Sequence, residues 1–395
     1  MKFSSLVDRI SGEGADAWNV HYQARRALER GEDVILLSVG DPDLNTPEPV
    51  IERAILAMRS GDTHYTPATG REPLREAIAA QHRARCGQTV RADNVIFLAG
   101  AQNALFAASL CVAGPGDEVL ALEPLYPTYP ASLEVSGARM VRVPAPARSG
   151  FHVDLAALEA RITPRTRAIF CASPNNPSGV ILSDAELAVI GNLARRHSLW
   201  VVVDEVYAGL APGGRVPSLA ASLPEQVVTL GSLSKSHAMP GWRAGWLVGP
   251  TLLIRHVEAL AMCMLYGLPG FVQEAALTAL SIAPGAESRM REYCATRRDL
   301  LLQELKGAPG LNCCVPDAGM FMLVDVQGTG LSGHDFMTRL YHAEGVSVID
   351  GGAFGRETGG FVRVCFAADE TQLRDACARI RRFAGTLARS EVTHG

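Results

Sequence analysis

Between Val95 and Val248 the chain repeats one pattern: a short apolar run, a segment with helical spacing, then another apolar run. Few folds accept that alternation. Runs this apolar offer no polar face to water, so they read as strands covered on both sides. Strands alternating with helices build a parallel sheet between helical layers. The expected strands are Val95–Leu98, Glu118–Leu122, Arg139–Val143, Ala168–Ala172, Trp200–Val203, Val227–Leu230 and Ala244–Val248. Ala101–Ala113 and Asp184–His197 read as helices, the second with Asp184, after Ser183, at the N-cap position.

From about Pro284 the pattern changes. A helical run (Ser288–Leu305), a strand (Gly319–Val326), a helix (Asp335–His342), strand segments Val346–Ile349 and Gly360–Ala367, and a last helix (Thr371–Leu387) suggest a different layout. The expected organisation is a large α/β domain over residues 38–283 with a mostly parallel central sheet, and a smaller α+β domain over 284–395. An N-terminal arm, 1–37, is expected to pack with the smaller domain.

Composition removes several classes. With 48% apolar and 20% charged residues the chain is ordinary for a globular protein. Acids (41) and bases (37) nearly balance and no basic stripe occurs, so a nucleic-acid partner is not expected. Nine cysteines without a C-x-x-C pair fit reduced thiols better than a zinc knuckle or disulfide frame, and no metal site is expected. Met1–Asp8 lacks the basic-then-apolar order of a signal peptide. The apolar stretch His256–Ala283 is broken by Glu258, Gly267, Pro269, Gln273 and Glu274. The expectation is a cytoplasmic protein with no membrane partner.

Gly328-Thr329-Gly330-Leu331-Ser332-Gly333 matches G-x-G-x-x-G between a strand and a helix, with Asp350 downstream. Too little chain follows to build both halves of a dinucleotide fold, so a glycine-rich surface turn is the expectation. A fuller constellation lies earlier. Asp204-Glu205-Val206-Tyr207 closes one apolar run; Ser232-Leu233-Ser234-Lys235 closes another, followed by Pro240-Gly241-Trp242-Arg243-Ala244-Gly245. Singly, a strand-end Asp is a turn residue and a Lys a solvated charge. Together, a lysine, an acid, hydroxyls and an arginine at successive strand ends suit an anionic, electron-withdrawing cofactor bound as an imine. Pyridoxal 5'-phosphate fits: it needs an amine for the Schiff base, an acid beside its ring nitrogen, and donors around its phosphate.

Further motifs occur in order: Gly40-Asp41-Pro42-Asp43, Tyr65 and Gly70 in HYTPATGREPLREAI, Gly100-Ala101-Gln102-Asn103-Ala104-Leu105, Pro124-Leu125-Tyr126-Pro127, Ser173-Pro174-Asn175-Asn176-Pro177-Ser178-Gly179, and Phe361-Val362-Arg363. With them the chain resembles, end to end, the fold-type I, class I/II aminotransferases. The resemblance implies an α/β pyridoxal-phosphate fold. Lys235 would carry the imine and shuttle the proton, with Asp204 on the ring nitrogen. Asn176 and Tyr207 would sit on the phenolic oxygen and Tyr126 on the ring face. The backbone of Ala101 and Gln102, with Ser232 and Arg243, would hold the phosphate. It also implies Arg363 and the Gly40 N–H on the substrate α-carboxylate, and Tyr65 reaching the neighbouring subunit's phosphate in a homodimer.

The substrates implied are an amino acid and a 2-oxo acid. Some members read an acidic side chain with a lysine where this chain has Gln102, and a neutral amide leaves a buried dicarboxylate without its counter-ion. The segments around Gly14–His21, Lys235 and Cys263–Gly267 look most like members that move the α-amino group of L-arginine to pyruvate. A guanidinium wants an acid or an aromatic face, for which Trp18, Tyr266, Glu13 and Asp16 are candidates. Other donors (aromatic, alanine or aspartate type) and β-lyase chemistry remain alternatives. A non-catalytic regulator is disfavoured, because the stretch before Ser38 is short for a winged helix and both Lys235 and Arg363 are present.

Overall fold

In the computed structural model, residues 1–10 and 18–392 are described, with side chains undescribed at 283, 284 and 390–392. In chain order the strands are β1 (Ile35–Leu36), β2 (Val95–Ala99), β3 (Glu118–Leu122), β4 (Arg139–Val143), β5 (Thr166–Ala172), β6 (Trp200–Asp204) and β7 (Val227–Ser232). Then follow β8 (Ala244–Val248), β9 (Asn312–Cys314), β10 (Phe321–Asp325), β11 (Val346–Ser347), β12 (Ile349–Asp350) and β13 (Phe361–Cys365). Strands β2 to β8 form one seven-stranded sheet in the order β2-β8-β7-β6-β5-β3-β4. Neighbours from β7 to β4 are parallel, whereas β8 runs antiparallel to both β7 and β2.

That reversal has a cause in chain length. A parallel crossover needs a dozen or more residues, usually a helix, to return the chain to the far end of the sheet. The segment between β7 and β8 holds only a 3₁₀ turn, Pro240–Trp242. The chain therefore turns back on the spot, and the whole segment, including Lys235 and Arg243, stays at the carboxyl end of β7.

Helices cover both faces. Ala101–Val112 and Thr251–Met264 pack on one, with Ala104, Leu105, Ala108, Leu253 and Val257 against Ile96, Phe170, Val202 and Leu247. Asp184–His197 covers the other, with Leu187, Ile190 and Leu193 against Leu120, Ile169 and Val201. A third cluster joins Glu48–Arg59, Glu72–Cys86 and Gly270–Ser281 to Phe97 and Trp246. Strands β9, β10, β12 and β13 make a separate antiparallel sheet in the order β12-β13-β10-β9. It shares a core with the last three long helices through Leu301, Met322, Phe336, Val364, Leu373 and Phe383. Val20, Ile35 and Leu37 of the N-terminal segment enter the same core. Among the described residues no helix is long and apolar enough to cross a membrane.

Four local expectations are corrected. Arg139–Val143 is not covered on both faces: β4 is the sheet's edge and only Val143 is fully buried. The run Val346–Ile349 is divided between two sheets, β11 pairing parallel with β1 and β12 antiparallel with β13. Ser183, not Asp184, is the N-cap: its hydroxyl accepts from the Glu186 N–H at 3.2 Å, and Glu186 answers to the Ser183 N–H at 2.8 Å, a capping box. The helix expected from Ser288 begins at Ala283. The G-x-G-x-x-G segment follows β10, which is antiparallel to both its neighbours, so no parallel βαβ unit exists there.

Candidate active site

The strand ends bring the sequence motifs together. Asp204 is the last residue of β6, Ser232 the last of β7, and Arg243 immediately precedes β8. Beyond β2, Gly100 turns the chain into the helix Ala101–Val112. These ends line a cavity of about 270 Å³ that also takes in Trp18, Gly40, Gln102, Tyr126, Asn176, Tyr207, Lys235 and Arg363. Larger depressions of about 540, 650 and 1010 Å³ lie elsewhere, none lined by a lysine–acid pair.

The Lys235 amine donates to the Gly40 carbonyl at 2.5 Å. Burial pushes its pKa below the usual lysine range, against weaker pulls upward from Cys365 and Asp41. A buried amine with a lowered pKa is a nucleophile and a base. Asp204 is buried, and burial raises its carboxyl despite hydrogen bonds from the Tyr129 hydroxyl to Oδ2 and from the Val206 N–H to Oδ1, the latter 2.9 Å. Both donors are neutral. Neither contact balances the charge, so the carboxylate suits a cationic partner.

Arg363 is 1% exposed, and burial draws its guanidinium down from its ordinary value. It lies between the rings of Phe321 and Phe354, 4.0 and 4.9 Å from their centroids. Nη1 donates to Asn176 Oδ1 at 3.0 Å and Nη2 to the Ser38 carbonyl at 2.5 Å, while Nε has no partner in the structure. A fully buried guanidinium with a spare donor and no paired carboxylate is an anion receptor.

The phosphate cradle rests on close approach. A Cβ on Gly245 would fall within 2.6 Å of Gly100 and Ala101 backbone atoms; on Gly100 (φ +84°) it would strike the Arg243 guanidinium. Two glycines thus let the helix N-terminus, Arg243 and β8 converge. The Ser232 hydroxyl is held by Ser234 Oγ at 2.7 Å, and Arg243 donates to the Pro240 and Ala99 carbonyls at 2.8 and 3.2 Å. Free N–H groups of a first helical turn beside an arginine suit a phosphate. With an amine, an uncompensated acid and this cradle in one cavity, the residues present fit pyridoxal phosphate.

Not every expected residue arrives. Tyr65 (88% exposed) and Tyr266 (52%) pack on each other on the surface, ring centroids 5.2 Å apart, and do not line the cavity of their own chain. Glu13 and Asp16 lie outside the described residues. Trp18 does line the cavity, edge-on to Tyr126 at 6.4 Å. The Gln102 side chain bridges Thr128 and Ser132, accepting at 2.8 Å and donating at 2.6 Å. Sequence reasoning missed Tyr129 and Phe321. The only signal for Tyr129 was a second aromatic three residues after Tyr126.

Fold and cavity define an α/β enzyme of fold type I that uses pyridoxal phosphate. The chain belongs to the class I and II aminotransferases, whose family pattern matches residues 32–380. It is 47% identical over 390 residues to the arginine–pyruvate transaminase AruH of Pseudomonas aeruginosa, spanning 98% of this chain and 99% of that one. It is 33% identical to a probable aspartate/prephenate aminotransferase of Rhizobium leguminosarum, spanning 93% and 95%. The solved aspartate aminotransferase of Thermus thermophilus with maleate superposes with a TM-score of 0.91 at 32% identity, covering 97% of this chain and 99% of that one.

Proposed function

We propose that this aminotransferase moves the α-amino group of L-arginine to pyruvate, alternating between the two substrates, as a cytoplasmic homodimer. The likeness to the arginine–pyruvate enzyme across nearly the whole chain carries the substrate assignment. The Gln102 side chain supports it: a neutral amide stands where an acid-reading cation would be, and both its ends are engaged.

In this reading pyridoxal phosphate supplies an electron-withdrawing ring conjugated with the substrate's amino nitrogen. Lys235 holds the cofactor and, once freed, moves the proton from the substrate Cα. Asp204 keeps a proton on the ring nitrogen, Asn176 and Tyr207 donate to the phenolic oxygen, and Tyr126 packs on the ring. The N–H groups of Ala101 and Gln102, with Ser232 and Arg243, bind the phosphate. Arg363, helped by the Gly40 N–H, orients the α-carboxylate. Trp18, which lines the cavity, faces the donor side chain, and Tyr266, which packs on Tyr65 outside the cavity of its own chain, would reach it only from the neighbouring protomer. The division into arm (1–37), large domain (38–283) and small domain (284–395) belongs to the same proposal.

Rates for arginine, lysine, aspartate, phenylalanine and alanine against pyruvate test the substrate. A dicarboxylate without a cationic partner loses on the order of 3–5 kcal/mol, so kcat/KM for arginine is expected to exceed that for aspartate about 100-fold or more. Preference for aspartate, or parity of arginine with phenylalanine, rejects the substrate and leaves the family untouched. The exposed Tyr65 supports composite sites, Tyr65 of one protomer reaching the phosphate held by the other. Mixing inactive Lys235→Ala and Tyr65→Ala subunits is expected to restore activity; a fully active monomer in light scattering rules composite sites out.

A further inference from the structure

Among the described residues, the groups that hydrogen-bond the Asp204 carboxylate are the Val206 N–H, on one oxygen, and the Tyr129 hydroxyl, on the other. Tyr129 stands on a helix of one and a half turns, Tyr129–Glu134, too short to hold its own position by internal hydrogen bonds. Two other elements hold it. Its ring packs edge-on against Phe170 of β5 and Tyr126, with centroids 4.8 and 5.6 Å away. The residues around it are tied to the helix Ala101–Val112 by Gln102, which accepts from the Thr128 hydroxyl and donates to Ser132 Oγ, residues on either side of Tyr129. Ser132 Oγ in turn donates to the Thr128 carbonyl at 3.1 Å, closing the loop.

We propose that Tyr129, braced by Gln102, is a positioning residue that keeps the Asp204 carboxylate aligned and weakly basic, so that the shared proton stays on the cofactor's ring nitrogen. The inference rests on the reading of Asp204 given above.

The physical argument concerns where one proton sits. A buried carboxylate is a stronger base than one in water, as the raised Asp204 carboxyl shows. Facing a protonated ring nitrogen, a carboxylate that is too basic takes the proton, and the neutral ring withdraws electrons poorly. A hydroxyl donating to one carboxylate oxygen stabilises the anion and opposes that drift, though burial still outweighs it. Tyr129 suits the task because its own hydroxyl is fully buried, and burial together with the Asp204 charge lifts its pKa well above the usual phenol range. It remains a donor and does not compete for the proton. Gln102 matters because both ends of its amide are matched, acceptor to Thr128 and donor to Ser132, which leaves the segment one orientation.

The test places ¹⁵N-labelled pyridoxal phosphate in the holoenzyme and reads the ring-nitrogen chemical shift, which reports protonation without turnover. Tyr129→Phe keeps the ring contacts and is expected to move the signal toward neutral pyridine. It should lower kcat about 10- to 100-fold with KM little changed, the size of one lost hydrogen bond to a charge. Gln102→Leu should shift the signal the same way by less, and should add little to Tyr129→Phe, because it acts through Tyr129. Asp204→Asn is the reference. If it moves the signal and Tyr129→Phe does not, the positioning role is overturned. If Gln102→Leu adds in full to Tyr129→Phe, the brace is overturned. If Asp204→Asn itself leaves the signal in place, Asp204 is not the ring-nitrogen partner, and the underlying reading falls with it.

Discussion

Two carboxylates buried at opposite ends of the central sheet show how one scaffold treats the same group in two ways. Glu118 begins β3; its side chain is 1% exposed, and it receives Arg139 Nη2 at 2.7 Å, Arg165 Nε at 3.0 Å and the Thr163 hydroxyl at 2.7 Å. Hydrogen bonds from Arg139 and Thr163, then Arg165, hold its pKa down at about 2 despite burial. Asp204 ends β6 with two neutral donors, and burial holds its carboxyl above the ordinary aspartate value. Glu118 carries its counter-ions with it and closes a structure. The groups that hydrogen-bond Asp204 supply none, and in the proposed function the cationic ring nitrogen would supply it. Between these two acids, the balance of charge rather than burial makes the difference.

The comparison breaks most visibly at Asp204. Asp204→Asn is expected to lower kcat by several orders of magnitude, since an amide cannot balance the ring's charge. It is also expected to leave the melting temperature of the cofactor-free protein unchanged or higher, because a destabilising buried carboxylate has been removed. A drop in that melting temperature would place Asp204 among the structural acids.

Glu118→Gln should do the reverse: kcat unchanged, and stability in urea lower by about 1–2 kcal/mol, the full linkage value being reduced because Arg139 and Arg165 are both 64% exposed. The smallest effect is its pH dependence. Because the folded pKa lies below the ordinary value, the Glu118 contribution is complete above about pH 4.5 and fades as pH falls through about 2. The stability gap between wild type and Glu118→Gln should therefore close over that window. For Asp204 the sign is opposite: with its folded pKa raised, its cost is present at neutral pH and is relieved as the carboxyl protonates. Denaturation curves of the two single variants from pH 7 to pH 2 separate these slopes, and parallel slopes would erase the distinction.

How far the chain could be read in advance followed from whether the information was local. Strands β3, β4 and β8 begin and end where the sequence pattern puts them; in β3 the run Val119-Leu120-Ala121-Leu122 leaves a strand little choice, and in β8 Trp246-Leu247-Val248 does the same. Lys235, Asp204 and Arg243 were legible for a similar reason, since each follows or precedes a strand end that places it at the sheet's carboxyl edge. The N-cap at Ser183 was misplaced by one residue, as Ser-Asp offers two capping groups and only the backbone angles choose between them. The direction of β8 and the splitting of Val346–Ile349 between two sheets were not legible, for strand pairing depends on partners far away in sequence.

The sequence by itself determined the alternation that makes a mostly parallel α/β sheet, and with it the line of strand ends on which the lysine, the acid and the arginine stand. Only the tertiary structure decided which groups surround them. Tyr129 reaches Asp204 across 75 residues, Arg363 reaches Ser38 across 325, and the Gln102 amide joins a helix start to a loop beyond the next strand. Periodicity is a property of neighbours along the chain. A carboxylate's hydrogen-bond partners are a property of neighbours in space, set when separate cores close against one another.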